Sequence, residues 1–180
     1  RLHIDAADFT IRRENALNPD GWKPLAKACL SRADEIEPGM ASLVLGELND
    51  LAAIWPDSLP AGVVHADMFK DNVFFLDGTL SGVIDFSFGC NDFLAYDLAI
   101  AINAWCFDDD TEFMPELSKA LIGGYQAVRG LEPSEINCLP ILARGAALRF
   151  LLTRVNDWLD VPQGALVIPH DPRVFAKRLR

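Results

Sequence analysis

The residues best suited to chemistry lie close together: His65, Asp67, Lys70, Asp71 and Asn72, followed by Asp85 beyond two short apolar runs. All sit at the entrances or exits of strand-like segments. A strand end places a side chain at the edge of a cleft while the strand itself stays in rigid structure. Asp67 and Asn72 flank one loop, and Asp85 leaves the next strand beside it. Two carboxylates and an amide oxygen converging in this way form a hard-oxygen site, which suits Mg²⁺ better than zinc. Asp and Asn also cap turns, and any one of these three fits that reading; all three around one hairpin favour a site.

Those positions require a particular frame. Gly62–His65 reads as a short buried strand. Asn72–Leu76 and Leu80–Phe86 read as two strands, with Asp77-Gly78 between them. Asp-Gly separating apolar runs is a strong hairpin signal, because glycine accepts the positive φ of a tight turn. Helices are predicted on both sides. Trp22, Leu25, Ala26, Cys29 and Leu30 give helical spacing over 21–33, with Pro24 in a first turn. Met40–Trp55 repeats the pattern and ends at Pro56. Phe93–Phe107 is apolar almost all round, as in a buried central helix. Asp108-Asp109-Asp110-Thr111 reads as a solvated loop capping a helix that runs to Arg129 and stops at Gly130. Ser134–Asp157 is a long helix interrupted by Pro140, and Asp171-Pro172 opens a short last one, with Asp as cap and Pro first. The fold class is α+β, mostly helical, with a small β element of two to four strands embedded at the middle.

Composition narrows the function. The 180 residues are 51% apolar and 23% charged, and the net charge is −10, from 26 acidic against 16 basic side chains. That surface repels phosphate backbones and anionic lipid, which disfavours nucleic-acid or membrane-surface roles. No apolar run approaches the ~20 residues of a membrane span, and Arg1–Asp5 lacks the apolar core of a signal peptide. Cys29, Cys90, Cys106 and Cys138 are far apart in apolar stretches and read as reduced core thiols. His3, His65 and His170 are scattered, so no zinc-like cluster exists. The expected compartment is the cytoplasm. The chain begins without Met, as part of a longer polypeptide would.

H-x-D-x-x-x-x-N from His65 to Asn72, then a hairpin, then Ile84-Asp85-Phe86, resembles the catalytic loop and metal-binding segment of the kinase-like phosphotransferases. Ser87 stands where protein kinases have the glycine of D-F-G. Asp92 and Tyr96-Asp97-Leu98-Ala99 resemble the aminoglycoside phosphotransferase and choline kinase branch. Within it the chain is similar to the bacterial homoserine kinases. That similarity is carried by the run to Phe75, Cys90-Asn91-Asp92, Asn103–Phe107 and Ala147–Phe150, with Asn15-Ala16-Leu17, Gly21-Trp22 and Pro162–Pro172. Lys70 replaces the proline more usual there, as a solvated loop lysine.

The resemblance implies an ATP-dependent enzyme with Mg²⁺, phosphorylating the hydroxyl of L-homoserine in threonine biosynthesis. Asp67 is then the catalytic base that orients the acceptor hydroxyl, and Asn72 and Asp85 hold the metal. His65 and Asp97 support the loop. For the acceptor's carboxylate, Arg144, Arg149 and Arg154 share one helix, but steps of five residues turn them to different faces. Arg149 has the most apolar surroundings and is the first candidate. Asn103 and Trp105 are weaker ones. The N-terminal lobe of such kinases, with its phosphate-covering loop and strand lysine, has no counterpart before residue 60. The chain therefore reads as a single C-terminal lobe over 1–180, with nucleotide-binding residues unassigned, gripping ATP weakly alone. Two other readings stay open. One is a phosphotransferase for another amino alcohol or an aminoglycoside, using the Asp108-Asp109-Asp110-Glu112 run. The other is a truncated, non-catalytic lobe acting as a binding module.

Overall fold

The computed structural model describes residues 1–108, 112–162, 164–166 and 168–180. The chain divides into two compact units. The first comprises Arg1–Asn15, Pro56–Asp108 and Glu112–Ala143; the second comprises Ala16–Trp55 and Arg144–Arg180.

The first unit carries the β structure. After the short helix α1 (Leu2–Asp5), β1 (Ala61–Val64) pairs antiparallel with β4 (Cys90–Phe93). β2 (Val73–Leu76) pairs with β3 (Thr79–Val83). The hairpin turn forms where expected: Asp77 and Gly78 both take positive φ, 51° and 75°, the pair of left-handed residues that a two-residue turn matched to strand twist requires. A shift of register between Phe74 and Phe75 breaks the ladder, and Phe74, Phe75, Leu76 and Leu80 are exposed. β4 was not anticipated. Its polar centre, Asn91-Asp92, hides the strand pattern, and it exists through long-range pairing with β1. The segment at Arg13 also bonds to it: Asn91 N–H donates to the Arg13 carbonyl at 2.7 Å, and the Arg13 N–H donates to Asn91 Oδ1 at 3.0 Å.

α4 (Leu94–Trp105) is buried at every position from Leu94 to Ala104, the central helix that its all-round apolarity implies. A tiny pair, β5 (Phe107–Asp108) with β6 (Glu112–Phe113), follows. The expected cap at Asp109, Asp110 and Thr111 lies outside the described residues. α5 (Pro115–Gln126) starts later than the reading from Thr111, with proline at its first position, where a missing N–H is harmless. α6 (Pro133–Leu159) passes through Pro140 and contributes residues to both units.

The second unit is helical: α2 (Pro19–Cys29), α3 (Met40–Ile54), the later part of α6 and α7 (Arg173–Leu179). α2 begins two residues before the expected Gly21, with the Asn18 side chain accepting the Gly21 N–H at 3.0 Å. That start places Pro24 inside the helix rather than in its first turn. α7 begins at Arg173, and Asp171 still accepts the Arg173 N–H, at 2.9 Å. The Trp22 and Trp55 rings meet edge to face at 5.1 Å. Both pack where Gly145 leaves room, since a methyl group there would strike both indoles. Arg144 forms a fork on Glu47 at 2.9 and 3.1 Å.

Among the described residues α6 is long and apolar enough, by length and composition, to cross a membrane, and 56% of its most apolar window is buried within the protein. Arg144 and Arg149 interrupt that window, so its uncharged apolar runs stay short. None of the four cysteines is in a disulfide; Cys29, Cys90 and Cys106 are buried and Cys138 is half-buried. Burial pushes the Cys29 and Cys106 thiols up.

Candidate active site

The loop from His65 to Asn72 leaves β1 and is held from beneath by α4. Asp97, 3% exposed, accepts the His65 N–H at 3.0 Å on one carboxylate oxygen and the Ala66 N–H at 2.8 Å on the other. A buried carboxylate is costly unless its lone pairs are filled, and here the loop backbone fills them. Ala66 takes φ 62°, a left-handed conformation that a residue with a Cβ adopts only when its surroundings dictate it, at about 1–3 kcal/mol. The Asp97 hydrogen bond to the Ala66 N–H is one such constraint. A third donor, His3 Nε2 on α1, reaches Asp97 at 2.9 Å. No local pattern marks His3, which meets Asp97 only through the fold.

His65 is fully buried and links the loop to the segment carrying Asp85. Its Nδ1 accepts the Asp67 N–H at 3.2 Å, and its Nε2 lies 2.9 Å from the Ile84 carbonyl. A backbone N–H can only donate, so Nδ1 is the acceptor and Nε2 carries the proton given to Ile84. The ring also meets Phe86 edge-on at 4.6 Å. One imidazole thus fixes Asp67 and the residues on both sides of Asp85.

Asn72, 7% exposed, closes the loop. Its Nδ2 donates to the Asp67 carbonyl at 2.8 Å and to Asp67 Oδ2 at 3.1 Å. Its own backbone carbonyl accepts the Ile84 N–H at 3.0 Å, which brings the ends of the loop and of β3 side by side. With Nδ2 committed to Asp67, the Asn72 amide offers its oxygen as a ligand. Asp85 is exposed, with φ 61°. Hydrogen bonds from the Ser87 side chain and N–H, with a smaller contribution from His65, hold its carboxyl below the usual carboxylate range. An ionised carboxylate and an amide oxygen are the donor set of a hard cation. Among the described residues no three His, Cys, Asp or Glu side chains gather as a metal cluster. Asn72 and Asp85 offer oxygen donors of the kind that Mg²⁺ takes when water completes its shell.

Other candidates occupy different places. Trp105 Nε1–H donates to the Met68 carbonyl at 2.9 Å, and its ring meets Phe75 at 6.2 Å; it braces the loop. Asn103 is buried, with Nδ2 donating to the Ala99 and Ala143 carbonyls at 3.1 and 2.9 Å, joining α4 to α6. Lys70 is exposed on the turn Lys70–Asn72. Arg149, in the second unit, is 1% exposed with its guanidinium 4.4 Å over the Phe150 ring. Arg144 is engaged by Glu47 and Asp50, while Arg154 lies over Phe175 and donates to the Asp171 carbonyl. Of the acidic run, Asp108 and Glu112 are exposed; Asp109 and Asp110 lie outside the described residues.

Comparison with known proteins bears on the family. Residues 2–131 match the phosphotransferase enzyme family, APH. Across 180 residues the chain is 56% identical to homoserine kinases of Azorhizobium caulinodans and Xanthobacter autotrophicus. It is 55% identical over 181 residues to that of Bradyrhizobium diazoefficiens. All of this chain is covered in each case, but only 56%, 56% and 55% of the relatives, so the chain spans just over half of their length. The matched segment includes the whole loop, the hairpin and α4, and the chain belongs to the phosphotransferase enzyme family.

Proposed function

We propose that the protein transfers the γ-phosphoryl group of ATP to the hydroxyl of L-homoserine, in the cytoplasm and on the way to threonine. The observation that carries this reading is the loop itself: Asp67, Asn72 and Asp85 are present and held in place, in a chain more than half identical to homoserine kinases along its whole length. Intact chemistry in all three positions speaks against a non-catalytic binding module.

Asp67 orients the acceptor hydroxyl and takes its proton. An alcohol has a pKa far above 7, so the proton moves late and positioning is the larger effect. His65 and Asn72 both bind Asp67, one at its N–H and the other at its carbonyl and carboxylate, and so set the direction of attack. Asn72 and Asp85 hold Mg²⁺, which when bound neutralises charge on the phosphates. For the acceptor's carboxylate the candidate is Arg149, whose guanidinium suits a carboxylate. The 1–180 segment acts as the C-terminal lobe. The exposed apolar side chains of Phe74, Phe75, Leu76 and Leu80 support a further lobe packing against the hairpin, because a patch of this kind marks an interaction surface.

The test is ADP release by the complete gene product with a panel of acceptors. Turnover of homoserine above choline and aminoglycosides is expected. Turnover of a polycationic aminoglycoside without turnover of homoserine would overturn the proposal and favour the acidic-run reading.

A further inference from the structure

The hydrogen bonds that reach Asp97 do not end at His3. His3 Nδ1 lies 2.7 Å from the Tyr125 hydroxyl on α5, and the two rings meet edge-on at 5.7 Å. Arg129 Nη1 lies 3.2 Å from the same hydroxyl. The Arg129 guanidinium also forks onto Glu135, at 2.9 and 3.2 Å. Glu135 is fully buried, and its second oxygen accepts the Glu132 N–H at 2.9 Å at the start of α6. A buried ion pair thus anchors a phenol, the phenol meets an imidazole, and the imidazole meets the carboxylate that clamps the catalytic loop.

The direction of each bond in this row is fixed at both ends. A guanidinium has no acceptor, so Arg129 donates to the phenol oxygen. A carboxylate has no donor when ionised, so His3 donates from Nε2 to Asp97. Between these ends a neutral His3 accepts the phenol proton on Nδ1. Burial pushes the Tyr125 hydroxyl up, in keeping with a phenol that keeps its proton and donates it.

We propose that Tyr125 is a positioning residue: its hydroxyl proton holds His3 in the Nε2–H tautomer, the form that donates to Asp97 and steadies the loop carrying Asp67. Without the hydroxyl, only the Asp97 carboxylate still selects the Nε2–H form; whenever the proton moves to Nδ1, a lone pair on Nε2 faces Asp97 and the clamp loses one of its three donors. The role rests on the reading of Asp67 as the catalytic base.

The experiment uses the complete gene product in four forms beside wild type: Tyr125→Phe, His3→Gln, the double variant and Asp67→Asn. Glutamine keeps both bonds with their polarity, its NH₂ donating to Asp97 and its oxygen accepting from Tyr125, but it has no tautomer to choose. Tyr125→Phe is expected to lower kcat about 3- to 10-fold. KM for ATP and homoserine should stay within about twofold, as expected when positioning rather than ground-state binding is lost. In ¹⁵N-histidine NMR its His3 signals, identified by their absence from His3→Gln, should leave the Nε2–H pattern. In the His3→Gln background the same Tyr125→Phe change should alter kcat by less than about twofold, because no tautomer is at stake.

An unchanged kcat and an unchanged His3 pattern in Tyr125→Phe would overturn the proposal. An equal fall in kcat with and without His3→Gln would overturn it as well. Should His3→Gln not fold, the His3 signals, assigned then by selective labelling, decide alone. If Asp67→Asn is as active as wild type, the catalytic assignment fails and the positioning role with it. If Asp67→Asn is inactive while Tyr125→Phe is indifferent, the positioning role alone fails.

Discussion

The two units hold their geometry by different means. In the first, the decisive contacts are hydrogen bonds to buried polar groups: His65 at 0% exposure, Asp97 at 3% and Glu135 at 0%. In the second, they are contacts between large apolar side chains, with Trp22, Met40, Leu51, Leu148, Leu151 and Phe175 all below 2%. A hydrogen bond fixes direction and is lost with one atom. Apolar packing is non-directional and is lost by volume. A loop that aims a carboxylate at a hydroxyl, the role proposed for Asp67, needs the first kind of support. The contrast predicts that the units fail differently: the first by losing rate, the second by losing stability.

The largest stability effect belongs to the second unit. Trp22→Ala empties the space beside Trp55 and leaves the Leu17 carbonyl without the indole N–H that it accepts at 2.7 Å. A loss of about 3–5 kcal/mol is expected in denaturant unfolding, with kcat per folded molecule unchanged. A rate loss larger than the stability loss would break the comparison.

Asp97→Asn is the counterpart in the first unit. The amide keeps the shape but can accept on only one atom, so the His65 or the Ala66 N–H is left without its partner. About 1–3 kcal/mol of stability should be lost, together with a fall in kcat at little changed KM. Normal turnover in this variant would show that the loop holds its conformation without the clamp. Smaller again is Gly145→Ala. Alanine raises helix propensity by about 0.8–1 kcal/mol, but its methyl meets both indoles, an overpacking of about 1–3 kcal/mol. A net loss of about 1 kcal/mol is expected, and a gain would mean that the rings move aside. The smallest effect concerns the thiols. Cys138, half-buried, should react with a thiol reagent before Cys29 and Cys106, whose buried thiols are pushed up. Labelling of Cys29 first would point to an opening of the second unit.

Much of this was legible in the sequence because the signals are local. Asp77-Gly78 between apolar runs marked the hairpin, and the all-round apolarity of Leu94–Ala104 marked the central helix. The spacing of His65, Asp67 and Asn72 marked the loop. What stayed hidden depends on distant partners. β4 contains Asn91-Asp92 and becomes a strand only by pairing with β1. His3 meets Asp97 across 94 residues and Tyr125 across 122, and no spacing rule reaches so far. Trp105 and Asn103, polar groups on an apolar helix, donate to the Met68 and Ala143 carbonyls, the kind of satisfaction that buried polar groups require.

The central claim, that Asp67 is the base of a homoserine phosphotransferase, is tested most directly by steady-state kinetics of Asp67→Asn in the complete gene product. Asparagine keeps the size and hydrogen-bonding reach of the side chain and removes its basicity and charge. General-base contributions of this kind are worth about 10²–10⁴-fold, so kcat for homoserine should fall by that factor while KM for ATP stays within a few-fold. Near-normal turnover of homoserine by Asp67→Asn would contradict the account.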